Sequence, residues 1–178
     1  RRLNRVLDLG VVLRDATEAD MEVVRALNES ELPHVSSVTV AEFERYRGEA
    51  RYFRVAEASD GEFAGFLIGF GPGADYDSVN YLWFAERYER FLYVDRIVVS
   101  ETARGLGIGR KFYADVADYA RGHAPIVTCE VNLQPPNEAS HRFHANLGFC
   151  EVGRQETDGG KKQVSLLAWD LTETHASA

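Results

Sequence analysis

A chain of 178 residues suffices for one domain with a substantial core and is short for two. Its 28 acidic residues against 20 basic give a net charge of -8, which excludes the broad basic face needed to bind nucleic acid or an anionic membrane. A hydrophobic fraction of 45% excludes wholesale disorder, and no apolar run approaches the ~20 residues of a membrane span.

The opening RRLNRVLDLGVVL is basic and then apolar, as a signal peptide is. Asp8 and Asp15 interrupt it and no small-residue cleavage site follows, so the expected compartment is the cytoplasm. Leu9 to Arg14 reads as a first strand. Thr17 follows as an N-cap with Asp20 three residues on, a capping-box pattern, and Met21, Val24 and Leu27 then recur at helical spacing. Val40 to Tyr46 predicts a second helix ending near Gly48. Tyr52 to Ala58 and Phe63 to Phe70 are strands joined by a Ser59-Asp60-Gly61 hairpin turn. Residues 74–90 are aromatic and polar and fit no element. Phe91 to Val99 is a strand, Arg104 to Arg121 a helix with Ile108, Phe112, Val116 and Tyr119 on one face, and Ile126 to Val131 a strand. Pro135-Pro136-Asn137 introduces a helix to Leu147, closed by Gly148. Phe149 to Gln155 and Gln163 to Leu171 flank an Asp158-Gly159-Gly160 turn, and a frayed tail follows. The order β-α-α-β-β-β-α-β-α-β-β is that of a single mixed α/β domain. Cys129 and Cys150, the two cysteines, lie in apolar strand-like stretches and are expected to be reduced core residues.

Residues 103–112 read ARGLGIGRKF. Glycines at a helix start, with arginines on both sides, are suited to a phosphate, because the first backbone N–H groups of a helix are unpaired and carry partial positive charge. The stretch fails the GxxxxGK[ST] pattern of a Walker loop. It also departs from the dinucleotide fingerprint GxGxxG, since Arg110 stands at the third glycine, and too little chain follows for paired βαβ halves. It matches [QR]xxGx[GA] between a strand and a helix, in Arg104-Gly105-Leu106-Gly107-Ile108-Gly109. With IVVSETARGLGIGRKF and the later NEASHRFHANLGF, the chain here resembles the GNAT family, the Gcn5-related N-acetyltransferases.

The resemblance implies one domain over residues 9–171, with terminal extensions at 1–8 and 172–178. Its mixed central sheet would have six to seven strands, flanked by helices and splayed at an acyl-CoA site. It implies acetyl-CoA as co-substrate, a primary amine as acceptor, direct attack on the thioester, and no metal. Ile97, Val98 and Val99 would meet the donor through backbone. Arg104, Gly105, Leu106, Gly107, Ile108, Gly109, Arg110 and Lys111 would cradle its pyrophosphate, and Asn132, Asn137 and Ser140 would contact its arm. A non-catalytic acyl-CoA-binding module on the same fold is the alternative. No nucleic-acid or membrane partner is expected, and a homodimer is compatible with the sequence.

Proton transfer needs titratable groups near the thioester. Alternation in FLYVDRIVV puts Tyr93, Asp95, Ile97 and Val99 on one face and Arg96 on the other. Asp95 and Glu130 are both candidates for the base, each with an ion pair or a cross-strand hydrogen bond as its structural alternative. Tyr93 shares the face of Asp95. Counting back from Gly148-Phe149, His144 stands where the family commonly has a tyrosine that protonates the leaving thiolate, with Ser140 one turn earlier on the same face. Its structural alternative is a helix histidine bonded to a backbone carbonyl. Asn137 is expected to cap the helix. The aromatics Tyr76, Tyr81, Trp83, Phe84 and Tyr88 are read either as a packing cover for the sheet or as an acceptor-site loop.

Overall fold

The computed structural model describes residues 10–173. The 1–8 extension, the boundary at Leu9 and residues 174–178 of the tail lie outside the described residues. Seven strands form one mixed sheet in the order β1-β2-β3-β4-β5-β7-β6. They are β1 (Val11–Asp15), β2 (Tyr52–Ala58), β3 (Phe63–Phe70), β4 (Leu92–Val99), β5 (Ile126–Gln134), β6 (Cys150–Thr157) and β7 (Lys162–Asp170). Five α-helices occur among the described residues: α1 (Met21–Glu29), α2 (Val40–Glu49), α3 (Val79–Ala85), α4 (Ile108–Arg121) and α5 (Glu138–Leu147). The chain falls into two compact units. Of the described residues, one holds 10–69 together with Arg96–Val116, and the other holds Phe70–Asp95 and 117–173.

In the first unit β1 and β2 pair antiparallel, as do β2 and β3. Two capping boxes start the helical segments. Thr17 donates through its N–H and hydroxyl to Asp20 at 2.7 and 3.1 Å, and Thr39 does the same to Glu42. Met21 and Val24 of α1 and Phe43 of α2 are buried, with the Phe43 ring edge-on to Phe66 at 5.8 Å. Arg96 is buried on the face of β4 opposite to Asp95, as alternation requires. It donates to Asn28 Oδ1 at 3.1 Å, to Ser36 O at 3.0 Å and to Ser36 Oγ at 3.1 Å. Removing a guanidinium from water is costly, and these bonds offset that cost.

In the second unit β7 pairs antiparallel with β5 along its whole length and with β6 on its other side. Phe149 packs on Trp169, and Val164 and Leu166 of β7 are buried. The stretch without an expected element, 74–90, contains α3, capped by Ser78, which accepts from the Tyr81 N–H. Seven residues are too few for a helical period to stand out, and packing of Tyr81 and Phe84 supplies what periodicity does not.

Three further expectations are corrected. The helix predicted from Arg104 begins at Ile108, because Gly105 and Gly107 take φ of +77° and +80°, which no right-handed helix accommodates. Strand β5 continues to Gln134 through an irregularity between Asn132 and Gln134, longer than the apolar run suggested. Cys129 is buried as expected, but Cys150 is exposed, because β6 lies at the sheet edge.

Candidate functional site

The glycine loop belongs to the first unit. After β4 a short 3-10 turn, Glu101–Ala103, ends at Arg104, whose extended backbone delivers the chain to Gly105. The first helical bond of α4 runs from Lys111 N–H to Gly107 O at 3.0 Å, so the N–H groups of Ile108, Gly109 and Arg110 have no partner within the helix. A Cβ built on Gly105 or Gly107 would meet nothing within 4 Å, so open space lies over both. Left-handed glycines, an open backbone and the N-terminus of a 14-residue helix fit a pyrophosphate. Leu106 and Arg110 are exposed and Ile108 is buried, so Ile108 anchors the loop while its neighbours face water. Arg104 is half exposed and paired with Glu31, and Lys111 donates to Val11 O at 2.6 Å. Of the three bases expected on phosphate, Arg104 therefore already has a carboxylate partner and Lys111 a backbone carbonyl. Val98 is buried, and Ile97 and Val99 are half-buried on the face they share with Asp95.

The titratable candidates belong to the second unit. Strands β4 and β5 run parallel and pair at Leu92–Val127 and Tyr93–Thr128, a ladder of two pairs between strands of eight and nine residues. From that ladder Tyr93 donates its hydroxyl to both oxygens of Glu130, at 2.7 and 2.9 Å. Tyr76, from the loop after β3, donates to Asp95. Its ring stacks on Phe70 at 4.2 Å, which fixes the reach of the loop. Burial pushes the Tyr93 hydroxyl well above its ordinary value, and Glu130, Asp95 and Tyr76 add to the rise. Tyr93 is thus a neutral donor throughout the physiological range, and it senses both carboxylates. Thr128, on the Glu130 face of β5, is fully buried, and its Oγ1 is the one such side-chain polar atom without a hydrogen-bond partner among the described residues.

Helix α5 is fastened to the end of β5. Asn137 caps it, its Oδ1 accepting from Ser140 N–H at 3.3 Å, and Gly148 closes it at φ 115°. The carbonyl of Asn132 accepts from Asn137 N–H at 3.2 Å and pairs with His141 Nε2 at 3.1 Å. His144 is buried, with Nδ1 2.7 Å from Ser140 O and 3.2 Å from Ser140 Oγ. A carbonyl only accepts, so Nδ1 carries the proton and Nε2 of the neutral ring does not. Burial depresses the imidazole pKa, more than the bond to Ser140 raises it. The ring stands edge-on to Phe149 at 5.2 Å.

Tyr81 and Phe84 are core residues. The Tyr81 hydroxyl donates to Gly71 O at 2.7 Å and accepts from Ala74 N–H at 3.1 Å. Trp83 lies against β6, where a Cβ on Gly153 would come within 2.5 Å of its ring, and carries Arg87 over it at 3.8 Å. These three pack α3 in place, while Tyr76, earlier in the same aromatic stretch, bonds Asp95. The pairing of Tyr76 with Asp95, the buried hydroxyl of Thr128 and the contact of His141 with Asn132 were not foreseen. Only an aromatic and polar composition near Tyr76 pointed that way.

Residues 21–149 match the model of the Acetyltransferase (GNAT) family. The chain belongs to this family. The GNAT family transfers acetyl groups, and the protein is an acyltransferase. No curated protein sequence matches the chain. Among solved structures it is similar to Ard1 from Thermoplasma volcanium, at 17% identity and TM-score 0.72 over 92% of this chain and 99% of that one. It is also similar to the ribosomal-protein-S18-alanine N-acetyltransferase of Escherichia coli, at 14% identity and TM-score 0.69 over 94% and 98%. A third is YncA of Salmonella typhimurium with its cofactor acetyl-CoA, at 21% identity and TM-score 0.65 over 93% and 96%. At these identities the likeness is one of fold. The GNAT assignment accounts for the seven-stranded mixed sheet, and no helix among the described residues is long and apolar enough to cross a membrane.

Proposed function

We propose that the protein is an acetyl-CoA-dependent N-acetyltransferase that acts on a primary amine by direct attack, with Glu130 as the base. The observation that carries this reading is the pair of hydrogen bonds from Tyr93 to Glu130 at the head of the short β4–β5 ladder. Acetyl-CoA supplies a thioester carbon that the amine nitrogen attacks. A nitrogen–carbon bond forms, the carbon–sulfur bond breaks, and the ammonium gives up two protons, one to the base and one to the departing thiolate. Glu130 takes the first, directly or through one water, and Tyr93 holds its carboxylate in position. The N–H groups of the Gly107–Arg110 turn hold the pyrophosphate, with Arg110 adding charge. Backbone N–H groups of Ile97 and Val99 receive the thioester carbonyl.

His144 suits packing better than proton donation. Its neutral ring has no proton on Nε2, and its depressed pKa keeps the imidazolium scarce at neutral pH. The thiolate can take its proton from the attacking nitrogen instead.

The test is steady-state turnover of acetyl-CoA over a broad amine panel, followed by Glu130→Gln with the best acceptor. The variant should lose about a hundredfold or more in kcat/KM at pH 7 and recover as rising pH supplies free amine. A Glu130→Gln enzyme within threefold of the parent at pH 7 would remove Glu130 from the mechanism.

A further inference from the structure

Thr128 stands opposite Tyr93 in the short β4–β5 ladder, and its side chain is fully buried. Its Oγ1 has no hydrogen-bond partner among the described residues. A buried hydroxyl in that state opposes folding, and a valine has the same shape without the cost. Packing alone therefore gives no reason for a threonine at this position.

The register shows what the hydroxyl can serve. Strand β7 sets Ala168 opposite Thr128 and Leu166 opposite Glu130, and neither carries a polar side-chain atom. Strand β4 sets Tyr93 opposite Thr128, and Tyr93 donates its proton to the two oxygens of Glu130. Asp95 and Tyr76, bonded to each other, are the other titratable groups that Tyr93 senses. Thr128 and Glu130 lie on one face of β5, two residues and about 6.6 Å apart along the strand. One water bridges oxygens about 5–6 Å apart, so a glutamate side chain covers that spacing directly or with a single water.

A base has two states with opposite needs. The carboxylate of Glu130 only accepts, and Tyr93 serves that state. Once the proton has left the ammonium nitrogen for a Glu130 oxygen, that oxygen carries an O–H and donates. A donor such as Tyr93 favours the ionised form and by itself weakens the base, whereas an acceptor favours the protonated form. The Thr128 hydroxyl has two lone pairs to offer and lies on the same face.

We infer that Thr128 is a positioning residue for the base, its Oγ1 accepting the hydrogen bond of protonated Glu130, directly or through one water, in the state that follows proton abstraction. The proton stays on Glu130, and Thr128 neither gains nor loses one. This rests on the reading of Glu130 as base and adds the residue that supports its protonated form.

The experiment compares the parent with Thr128→Val, Thr128→Ser, Glu130→Gln and the double variant of Thr128→Val with Glu130→Gln. Each is read by steady-state acetylation of the best acceptor across pH and by urea unfolding. Thr128→Val should be at least as stable as the parent, because it removes a buried hydroxyl and keeps the shape. Its kcat should nevertheless fall about three- to tenfold, the worth of one hydrogen bond, with KM for acetyl-CoA unchanged. The acid limb of its kcat/KM profile should move to lower pH, since a protonated Glu130 without this acceptor gives up its proton more readily. Thr128→Ser keeps the hydroxyl and opens a small cavity, so it should lose stability while keeping the rate and the limb. A merely structural threonine would instead have rate follow stability. Added to Glu130→Gln, Thr128→Val should cost nothing further, because it acts through the carboxyl. If Thr128→Val does not fold, Thr128→Ala takes its place against Thr128→Ser. A Thr128→Val enzyme with kcat within about twofold of the parent and an unmoved limb overturns the inference and leaves Glu130 as the base. So does a Thr128→Ser enzyme as slow as Thr128→Val. A Glu130→Gln enzyme as fast as the parent overturns the reading beneath it.

Discussion

Replacing Gly107 by valine separates the fold from donor binding, because the two effects come from different physics. Gly107 holds φ +80°, and a Cβ there meets nothing within 4 Å. The free protein therefore suffers no clash, and the cost is that of a side chain in the left-handed region, about 1–2 kcal/mol. For a domain of this size each kcal/mol lowers Tm by about 2–4 °C, so the variant should melt about 2–8 °C lower and remain folded at 25 °C. Binding behaves otherwise. In the proposed binding mode, a valine here fills the space a phosphate needs to reach the N–H groups of Ile108, Gly109 and Arg110. Charge-assisted hydrogen bonds contribute about 1.5–3 kcal/mol each, so losing one weakens CoA by roughly ten- to a hundredfold. Gly48→Ala is the control. It lies within α2, also has nothing within 4 Å, and should gain up to about 1 kcal/mol of stability with CoA affinity unchanged. Calorimetry with CoA and thermal unfolding read the two quantities. A folded Gly107→Val that binds CoA as the parent does would refute the assignment of the pyrophosphate to this loop.

His144→Phe should keep kcat within about threefold of the parent, far less than the loss of a general acid would cause. Burial holds the imidazole below 6.5, so protonating it opposes folding. Its contribution is present above about pH 6.5 and is lost below, and His144→Phe should remove that part of the acid sensitivity in urea unfolding. A loss of tenfold or more in kcat, with stability unchanged, would return His144 to proton donation. Asp20 is held at a pKa of about 2, against 3.8, first by its bond to Arg14 and then by Thr17. At about 1.4 kcal/mol per pH unit, that is about 2 kcal/mol of stability, present above pH 4 and lost as pH falls through 2. Asp20→Asn should cost about this much at pH 7 and nothing below pH 2, and equal stability of the two proteins at pH 7 would contradict it.

The elements with regular patterns were legible. The β2–β3 hairpin was set by alternation and the Ser59-Asp60-Gly61 turn, and α5 by Asn137 and Gly148 at its ends. Alternation also separated Arg96 from Asp95. The start of α4 was misjudged because glycine propensity alone does not tell a left-handed loop from a poor first turn. The partners of the titratable groups were least legible. Tyr93 lies 37 residues from Glu130 and Tyr76 lies 19 from Asp95, so each bond depends on where a strand or loop ends in space. Nothing local encodes either bond. The same limit applies to Tyr81, which is as aromatic as Tyr76 in sequence and is buried with its hydroxyl on Gly71.

Strand β4 shows how one short segment carries stability and chemistry together. Its alternation sends Arg96 to one side, where two hydrogen bonds to Ser36 tie down the chain between α1 and α2 and a third reaches Asn28 of α1. On the other side it sets Tyr93 and Asp95 two residues apart, which places both phenol–carboxylate pairs in one electrostatic cluster. A shift of register by one residue would exchange these faces, burying the acid where the arginine is held and turning the arginine toward Glu130. The site therefore depends on the register of β4 as much as on its residues. Register is in turn fixed by Phe91, Leu92, Val94 and Val98, all buried and none of them titratable. Substitutions at those four positions should alter activity through the placement of Tyr93 and Asp95, so their effect on kcat/KM should track their effect on stability, whereas that of Glu130→Gln should not.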